Sequence, residues 1–327
     1  MLRRLVVPAA LLALVAWAWR SPRLGSFLIR RAFTRGGAMT VARLQPFVPT
    51  GVDGQRRIAY GSGAAERLDV WYPAGTTRPL PTVVWVHGGG WVAGSTSDIE
   101  PYAKILADEG YTVVVVGYSL APGARYPEPL RQVGAALTWL LEHGSEVHAD
   151  TDALVLAGDS AGAQIAAQLA LVVTDLDYAS AVGIDPPVAA DQVRGVISHC
   201  GPQQPIRLQQ ARGVGGWFVR TVGRAYFATS SFDAPRVREA SVADHVGPGY
   251  PPTLVTGGNA DPLTPQGEAF ADRLTAVGVD VTARFWPHDH LPALGHEFQF
   301  DLNLDEGREV LEATRDFLAR VTTGRPT

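Results

Sequence analysis

The stretch "LAGDSAGAQ", residues 156–164, places a serine in the spacing G-x-S-x-G, formed by Gly158, Ser160 and Gly162. This spacing is typical of a sharp turn from a buried strand into a helix, which exposes a nucleophilic serine at the helix N-terminus. The N–H groups and the positive end of the helix dipole can then stabilise a developing oxyanion. A plain glycine-rich turn or a phosphate-binding loop has a similar composition. The spacing alone leaves these alternatives open.

A second glycine-rich segment, "HGGGW" at 87–91, directly follows an apolar run that is typical of a buried strand. It begins with His87 and continues with Gly88, Gly89 and Gly90. Consecutive glycines let the backbone approach a ligand closely with its N–H groups exposed, as an oxyanion hole requires. A flexible loop is the alternative. The position at the end of a predicted strand favours an oxyanion hole.

A nucleophilic serine needs a general base, and the base needs a carboxylate that orients it. After this kind of turn the expected chain order is Asp or Glu, then His. Asp261 follows the apolar run "PTLVTGG" and fits the acid, although Asp-Pro-Leu is also typical of a helix N-cap and both roles are compatible. Asp159 is set aside because Asp261 fills this role. Three histidines follow the last predicted strand: His288, His290 and His296. No matching carboxylate or cysteine set accompanies them, so we expect no metal.

The candidate residues lie at the ends of segments that alternate between strand and helix patterns. Predicted strands cover residues 67–73, 82–87, 111–118, 152–158, 192–200, 252–258 and 280–287. Predicted helices cover residues 98–110, 126–144, 160–174, 263–278 and 306–321. This alternation predicts an α/β fold with a mostly parallel sheet and helices on both faces. Ligands bind beyond the carboxyl ends of such strands, where the candidate residues lie.

The alternation breaks between Gly201 and Gly249, in a stretch rich in glycine, glutamine, arginine and aromatic residues. We predict that about 202–248 is an insertion over the sheet that forms a cap subdomain. A cap at this place would cover the carboxyl ends of the strands and any ligand bound there.

Length, charge and cysteine count exclude several classes of protein. The chain has 327 residues, of which 46% are hydrophobic, so it can form one large α/β domain with an inserted subdomain. The formal net charge is −4, and apart from arginines near the N-terminus no basic patch indicates a nucleic-acid partner. Cys200 is the only cysteine, which excludes an internal disulfide and cysteine-based zinc sites.

We interpret residues 1–35 as a hydrophobic N-terminal segment and residues 36–327 as the α/β domain. An uncharged apolar run from Leu5 to Trp19 lies between arginines. Its fifteen residues would span about 22 Å as a helix, against a hydrocarbon core of roughly 30 Å. The run fits a retained membrane anchor, a cleaved signal peptide or a helix packed on the domain. Membrane association or export is therefore expected, with a cytoplasmic location as the alternative.

The motifs "HGGGW", "GYSLAPGARYPEPLRQV", "GDSAG", "GGNADPLTPQGEAFADRL" and "GHEF" occur in an order that resembles the hormone-sensitive-lipase-like branch of the α/β-hydrolase fold, the bacterial family IV carboxylesterases. The resemblance extends from about residue 66 to 320. It implies an α/β-hydrolase fold with Ser160 as nucleophile, Asp261 as acid and His296 as base. His296 is chosen because Phe298 follows it at the spacing of the H-x-F motif.

The resemblance also implies an oxyanion hole formed by the amides of Gly89, Gly90 and Ala161. It implies a cap built from the N-terminal segment and the insertion, and no metal or organic cofactor. The chain departs from the family pattern at its N-terminal apolar run, which is not a general feature of the family, and in two ways near His296. The segment before His296 is longer than usual, and Glu297 stands where the family commonly has glycine.

These features together predict a serine carboxylesterase that acts on a small-molecule ester, with a short to medium acyl chain, through an acyl-enzyme. An arylformamidase or other amidase could use the same triad, and so could a membrane-associated lipase that accepts long-chain esters. A non-catalytic ligand-binding protein of the same fold is a further alternative, although such proteins usually lack a triad member.

Overall fold

The computed structural model describes residues 22–323 of the chain. Its centre is an eight-stranded sheet with the strand order β1-β2-β4-β3-β5-β6-β7-β8. The strands are β1 (Val52–Ala59), β2 (Arg67–Pro73), β3 (Leu80–Val86), β4 (Thr112–Val116), β5 (Ala149–Asp159), β6 (Val193–His199), β7 (Thr253–Gly257) and β8 (Val281–Phe285). Strands β3 to β8 pair in parallel, whereas β2 is antiparallel to both β1 and β4. The predicted α/β fold with a mostly parallel sheet is confirmed.

Nine α-helices lie among the described residues. They are α1 (Pro22–Leu44), α2 (Thr96–Asp108), α3 (Glu128–His143), α4 (Ser160–Thr174), α5 (Leu176–Val182), α6 (Gly213–Phe227), α7 (Pro235–Glu239), α8 (Thr264–Ala276) and α9 (Asp305–Thr323). Helices α2 and α9 pack on one face of the sheet, and α3, α4 and α8 pack on the other. Alternate residues of β3 and β4 contribute to the two cores, which explains their continuous apolar runs.

Strand β1 was not predicted, because its sequence "VDGQRRIA" has no apolar run and no regular alternation. The strand lies at the edge of the sheet and is mostly exposed. Hydrogen bonding to β2 therefore forms this strand without a hydrophobic pattern of its own.

Helix α6 was also missed, within the stretch predicted as an irregular insertion. Its sequence contains four glycines, which lower helix propensity by about 1 kcal/mol each relative to alanine. Tertiary contacts compensate for this cost. Tyr226 and Phe227 are fully buried, and the Tyr226 ring stacks on Trp91 at a centroid distance of 4.8 Å. The insertion thus carries an ordered helix, which packs on the glycine-rich segment that precedes Trp91.

Helix α1 packs against the domain, and the boundary proposed at residue 35 falls inside it. The Arg30 guanidinium donates hydrogen bonds to the carbonyls of Val92 and Ala121 at 2.7 and 3.1 Å. The Phe33 ring stacks on Phe218 of α6 with centroids 5.5 Å apart. Residues 22–35 therefore lie in a helix that packs on the domain.

The apolar run from Leu5 to Trp19 lies outside the described residues. Between residues 22 and 323, no single helix has both the length and the apolar composition needed to cross a membrane. Only the bent pair of α4 and α5 meets these criteria when its two helices are taken together.

Candidate active site

Ser160 is the first residue of α4 and directly follows the end of β5, as the strand-to-helix interpretation predicts. Its φ of 50° lies in the left-handed region, which is rare for a residue with a side chain and marks a sharp, strained turn. A Cβ on Gly162 would lie 2.0 Å from the Val86 carbonyl oxygen. One on Gly158 would lie 2.6 Å from the Gly162 carbonyl carbon. Both flanking glycines are thus required by close backbone contacts.

The structure brings Ser160, His296 and Asp261 together in one hydrogen-bonded chain. His296 Nδ1 lies 2.8 Å from Asp261 Oδ2, and His296 Nε2 lies 2.9 Å from Ser160 Oγ. Because a carboxylate only accepts hydrogen bonds, Nδ1 carries the proton of a neutral ring. Nε2 is then an acceptor for the Ser160 hydroxyl. This arrangement can deprotonate the serine as it attacks an electrophile.

Two opposing effects act on the pKa of His296. Burial disfavours the imidazolium, but the hydrogen bond to the Asp261 carboxylate and the negative charge of that group favour it, so the pKa of His296 lies above its ordinary value. The Asp261 side chain is fully buried, and its Oδ1 also accepts the Leu263 N–H at 2.9 Å. Asp261 therefore accepts hydrogen bonds from the ring and from the turn before α8. The predicted N-cap role is wrong, because Leu263 occupies the N-cap position and no side chain caps the helix.

The longer segment before His296 is held by a residue that the sequence analysis did not single out. The Asn259 side-chain amide donates to the carbonyls of His288 and His290, and its oxygen accepts the Leu294 N–H. His288 is exposed, and His290 bonds Glu306 at 2.6 Å. Neither ring borders either of the two cavities that lie next to His296. Of the three candidate histidines, the structure thus places only His296 at Ser160.

The glycine-rich loop at 87–91 lies next to the Ser160 turn. Gly89 and Gly90 have φ values of 112° and 60°, a conformation that glycine adopts at little cost. His87 is buried beneath the loop, where its Nδ1–H donates to the Gly88 carbonyl at 2.8 Å and its ring stacks on Tyr118. Burial lowers the pKa of His87, which keeps its ring neutral. His87 thus supports the loop from below.

Two cavities meet at His296 and Phe33. The first, of about 510 Å³, is bordered by Ser160, Ala161 and Gly90 and by apolar side chains of α6. The second, of about 570 Å³, is bordered by the remaining glycines of the loop and by several acidic side chains. We call these the apolar cavity and the acidic cavity. The apolar cavity is large enough for a small organic ligand.

Asp159, set aside as a catalytic acid, is a buried anchor for the glycine-rich loop. Its carboxylate accepts the Trp85 indole N–H at 2.8 Å and the Gly88 backbone N–H at 2.9 Å. This role does not follow from the sequence, because only the fold brings β3 and β5 side by side.

Cys200 is a second residue near the site that the sequence analysis did not connect with it. The thiol is free and buried, and its Sγ lies within 4.8 Å of ligand atoms of Asp261 and His296. Burial raises the pKa of this thiol, so it stays protonated and is a poor metal ligand. Because the nitrogens of His296 are already engaged by Asp261 and Ser160, this group of three fits hydrogen bonding better than metal binding.

Comparison with known proteins agrees with this geometry. A family model described as the α/β-hydrolase fold matches residues 83–299, so the chain belongs to the α/β-hydrolase fold family. The predicted fold class and the resemblance stated above are confirmed.

Among curated proteins, the chain is similar to the esterase LipC of Mycobacterium tuberculosis, with 30% identity over 250 residues. That match covers 75% of this chain but only 60% of LipC. Carboxylesterase NlhH of the same organism is 29% identical over 69% of this chain and 70% of its own length. Among solved structures, esterase B of Lactobacillus rhamnosis superposes with a TM-score of 0.79 and 25% identity, covering 91% of this chain and 96% of that protein.

Proposed function

We propose that this protein is a serine carboxylesterase. The observation that carries the proposal is the hydrogen-bonded chain from Ser160 through His296 to the buried Asp261, with Ser160 in a strained turn at the border of the apolar cavity. The similarity to proteins named esterase and carboxylesterase supports the same reaction class.

Acylation would begin when Ser160 Oγ attacks the ester carbonyl carbon and His296 Nε2 takes the hydroxyl proton. Asp261 stabilises the imidazolium that forms. As the tetrahedral intermediate collapses, the bond to the leaving oxygen breaks and His296 donates its proton to that oxygen. The alcohol leaves and an acyl-Ser160 ester remains. Water then attacks this ester with His296 as base, which releases the acid and restores Ser160.

The amides of Gly89, Gly90 and Ala161 would hold the oxyanion in these steps. Three features support this assignment: the left-handed conformation of the two glycines, the position of Ala161 in the first turn of α4, and the common border of Gly90 and Ala161 with Ser160 on the apolar cavity. Donors fixed before the reaction stabilise the developing charge without reorganisation.

The apolar cavity favours esters with a short to medium acyl chain. We expect kcat/KM for p-nitrophenyl esters to rise from acetate to butyrate or octanoate, because each buried methylene contributes about 0.8 kcal/mol. It should fall for palmitate, which would extend beyond the side chains of α6. Steady-state rates on this ester series, with p-nitroanilide butyrate as a matched amide, measure the preference.

A rate that keeps increasing to palmitate would favour the membrane-associated lipase. Faster turnover of the anilide than of the matched ester would favour an amidase. Saturable binding of the esters without turnover would favour a non-catalytic binding protein.

We further propose that α1 and the insertion at about 202–248 form a cap over Ser160. Phe33 of α1 and three residues of α6 (Phe218, Val219 and Val222) border the same cavity as the serine. The stacking of Phe33 on Phe218 joins the two parts of this cap.

For the N-terminal segment we propose membrane association through residues 1–35, supported by the apolar run from Leu5 to Trp19, and tested by two truncations. Removing residues 1–21 should release the protein from washed membranes and leave Tm unchanged, because every contact of α1 described above is kept. Removing residues 1–35 should lower Tm by at least about 5 °C, since it deletes Ile29, Arg30 and Phe33. Full-length protein in the soluble fraction would contradict the membrane proposal, and equal Tm values would contradict a structural role of α1.

A further inference from the structure

Glu297 follows His296 and has an unusual backbone conformation. Its φ of 61° lies in the left-handed region that favours glycine, the residue that the family pattern commonly has there. A glutamate at this position strains the backbone beside the base. An observed outlier of this kind, next to a reacting group, indicates that the side chain compensates for the strain through its contacts.

The Glu297 carboxyl lies close to the buried carboxyl of Asp159. A Cβ on Gly88 would lie 2.2 Å from Asp159 Oδ2 and 3.0 Å from Glu297 Oε1, so both carboxyls approach the same point of the glycine-rich loop. Two ionised carboxylates repel each other, whereas two carboxyls that share one proton attract each other. Burial and the neighbouring Glu297 raise the pKa of Asp159 well above its ordinary value, which is consistent with a retained proton. The other contacts of Asp159 are the hydrogen bonds from Trp85 and from the Gly88 backbone.

Glu297 also lies beside the nitrogen that faces the serine. Its Oε1 is 3.8 Å from His296 Nε2 and about 3.0 Å from the position of a Cβ on Gly88. Glu297, Gly88 and His296 all border the acidic cavity. The side chain thus spans the distance between the loop with the base and the loop with the oxyanion donors.

We propose that Glu297 is a positioning residue, whose carboxyl shares one proton with the Asp159 carboxyl and so ties the segment that carries His296 to the glycine-rich loop at Gly88. The effect of this tie on catalysis rests on the proposed function, in which His296 is the base. The contact between the two carboxyls through the shared proton does not depend on ester turnover.

Other charged or titratable groups lie near the Asp159 and Glu297 carboxyls, on the elements that pack against them. They are His87, Tyr102, Tyr118, Asp98, Arg43, Asp301, Cys200 and His296. Burial keeps His87 neutral and raises the pKa values of both tyrosines and of Cys200, so these four groups stay uncharged near neutral pH. Arg43 is paired with Asp301 at 3.3 Å. The negative charge of Asp98 and of the pair itself therefore opposes loss of the shared proton.

Loss of that proton at higher pH should weaken the tie in two ways. The two carboxylates would repel each other, and the freed Glu297 carboxylate could pair with the imidazolium of His296 in competition with Ser160. Because the Asp159 pKa is raised in the folded state, the stabilisation is present below the ordinary carboxyl range near pH 4. It is lost as pH rises through the folded-state pKa.

Glu297→Gln tests the tie without ester turnover. The Gln amide donates to the Asp159 carboxylate at every pH, so the variant needs no shared proton. We expect the Tm of E297Q to exceed that of the unmodified protein increasingly between pH 5 and 9, by about 3 °C at the alkaline end. The exposed Glu309→Gln removes the same charge and should show no such trend. Parallel Tm curves for the unmodified protein and E297Q would overturn the proposal.

The pH profile of kcat tests the catalytic consequence. The unmodified protein should lose at least threefold in kcat on the alkaline side, and E297Q should not. E297G, which removes both the strain and the tie, should have lower kcat at all pH values without the additional alkaline loss. Superimposable profiles for the unmodified protein and E297Q would overturn the positioning role. Absence of any ester turnover would instead contradict the proposed function. The Tm comparison would still test whether the Asp159 and Glu297 carboxyls share a proton.

Discussion

Replacing Ser160 by alanine should lower kcat by at least about 10⁴-fold and abolish covalent labelling by a fluorophosphonate probe. The reason is that no acyl-enzyme can form without Oγ, while substrate binding in the apolar cavity is kept. The residual rate would come from the oxyanion donors alone. Ser160 accounts for little of the packing, so Tm should stay close to that of the unmodified protein. Activity on p-nitrophenyl butyrate, intact-mass analysis after labelling and thermal melting measure the three quantities.

The matched control is Ser145→Ala on the protein surface, which should leave rate and labelling unchanged. A Ser160→Ala protein that still takes up one phosphonyl group would show that another residue is the nucleophile. In that case the left-handed conformation at Ser160 would need a different explanation.

The sequence predicts those features of the site that depend on neighbouring residues or on the order of the strands. The turn at Ser160 was predictable because its two glycines and the flanking strand and helix lie within a few residues of the serine. Asp261 was predictable because parallel strands end at one edge of the sheet, so an acid after β7 comes near a serine after β5. The first prediction needs only local sequence, and the second needs only chain order and the rules for parallel sheets.

Features that depend on tertiary contacts could not be obtained in this way. Helix α6 contains glycines that argue against a helix, and its packing against Trp91 and against Phe33 of α1 compensates for them. The contact between Asp159 and Glu297 joins residues far apart in the sequence. Glu297 was visible as a departure from the family pattern, but its partner was not. A departure beside a predicted catalytic residue is therefore a signal to seek a compensating contact in the structure.

Three histidines follow β8, so chain order alone does not distinguish which of them is the base. His296→Ala should lower kcat/KM on p-nitrophenyl butyrate by about 10⁴-fold or more, since Ser160 would lose the acceptor for its proton and the leaving alcohol would lose its donor. In the unmodified protein, kcat/KM should fall on the acid side as His296 becomes protonated. Because its pKa is raised, this fall should begin above pH 6.5.

The two neighbouring histidines provide matched controls. His288→Ala should retain activity within about twofold, because the ring is exposed and borders neither cavity. His290→Ala should lower Tm slightly through loss of the hydrogen bond to Glu306, with little effect on kcat. If His290→Ala removed activity and His296→Ala kept it, the base would be misassigned. The hydrogen bond between His296 and Ser160 would then describe a resting arrangement that rearranges before reaction.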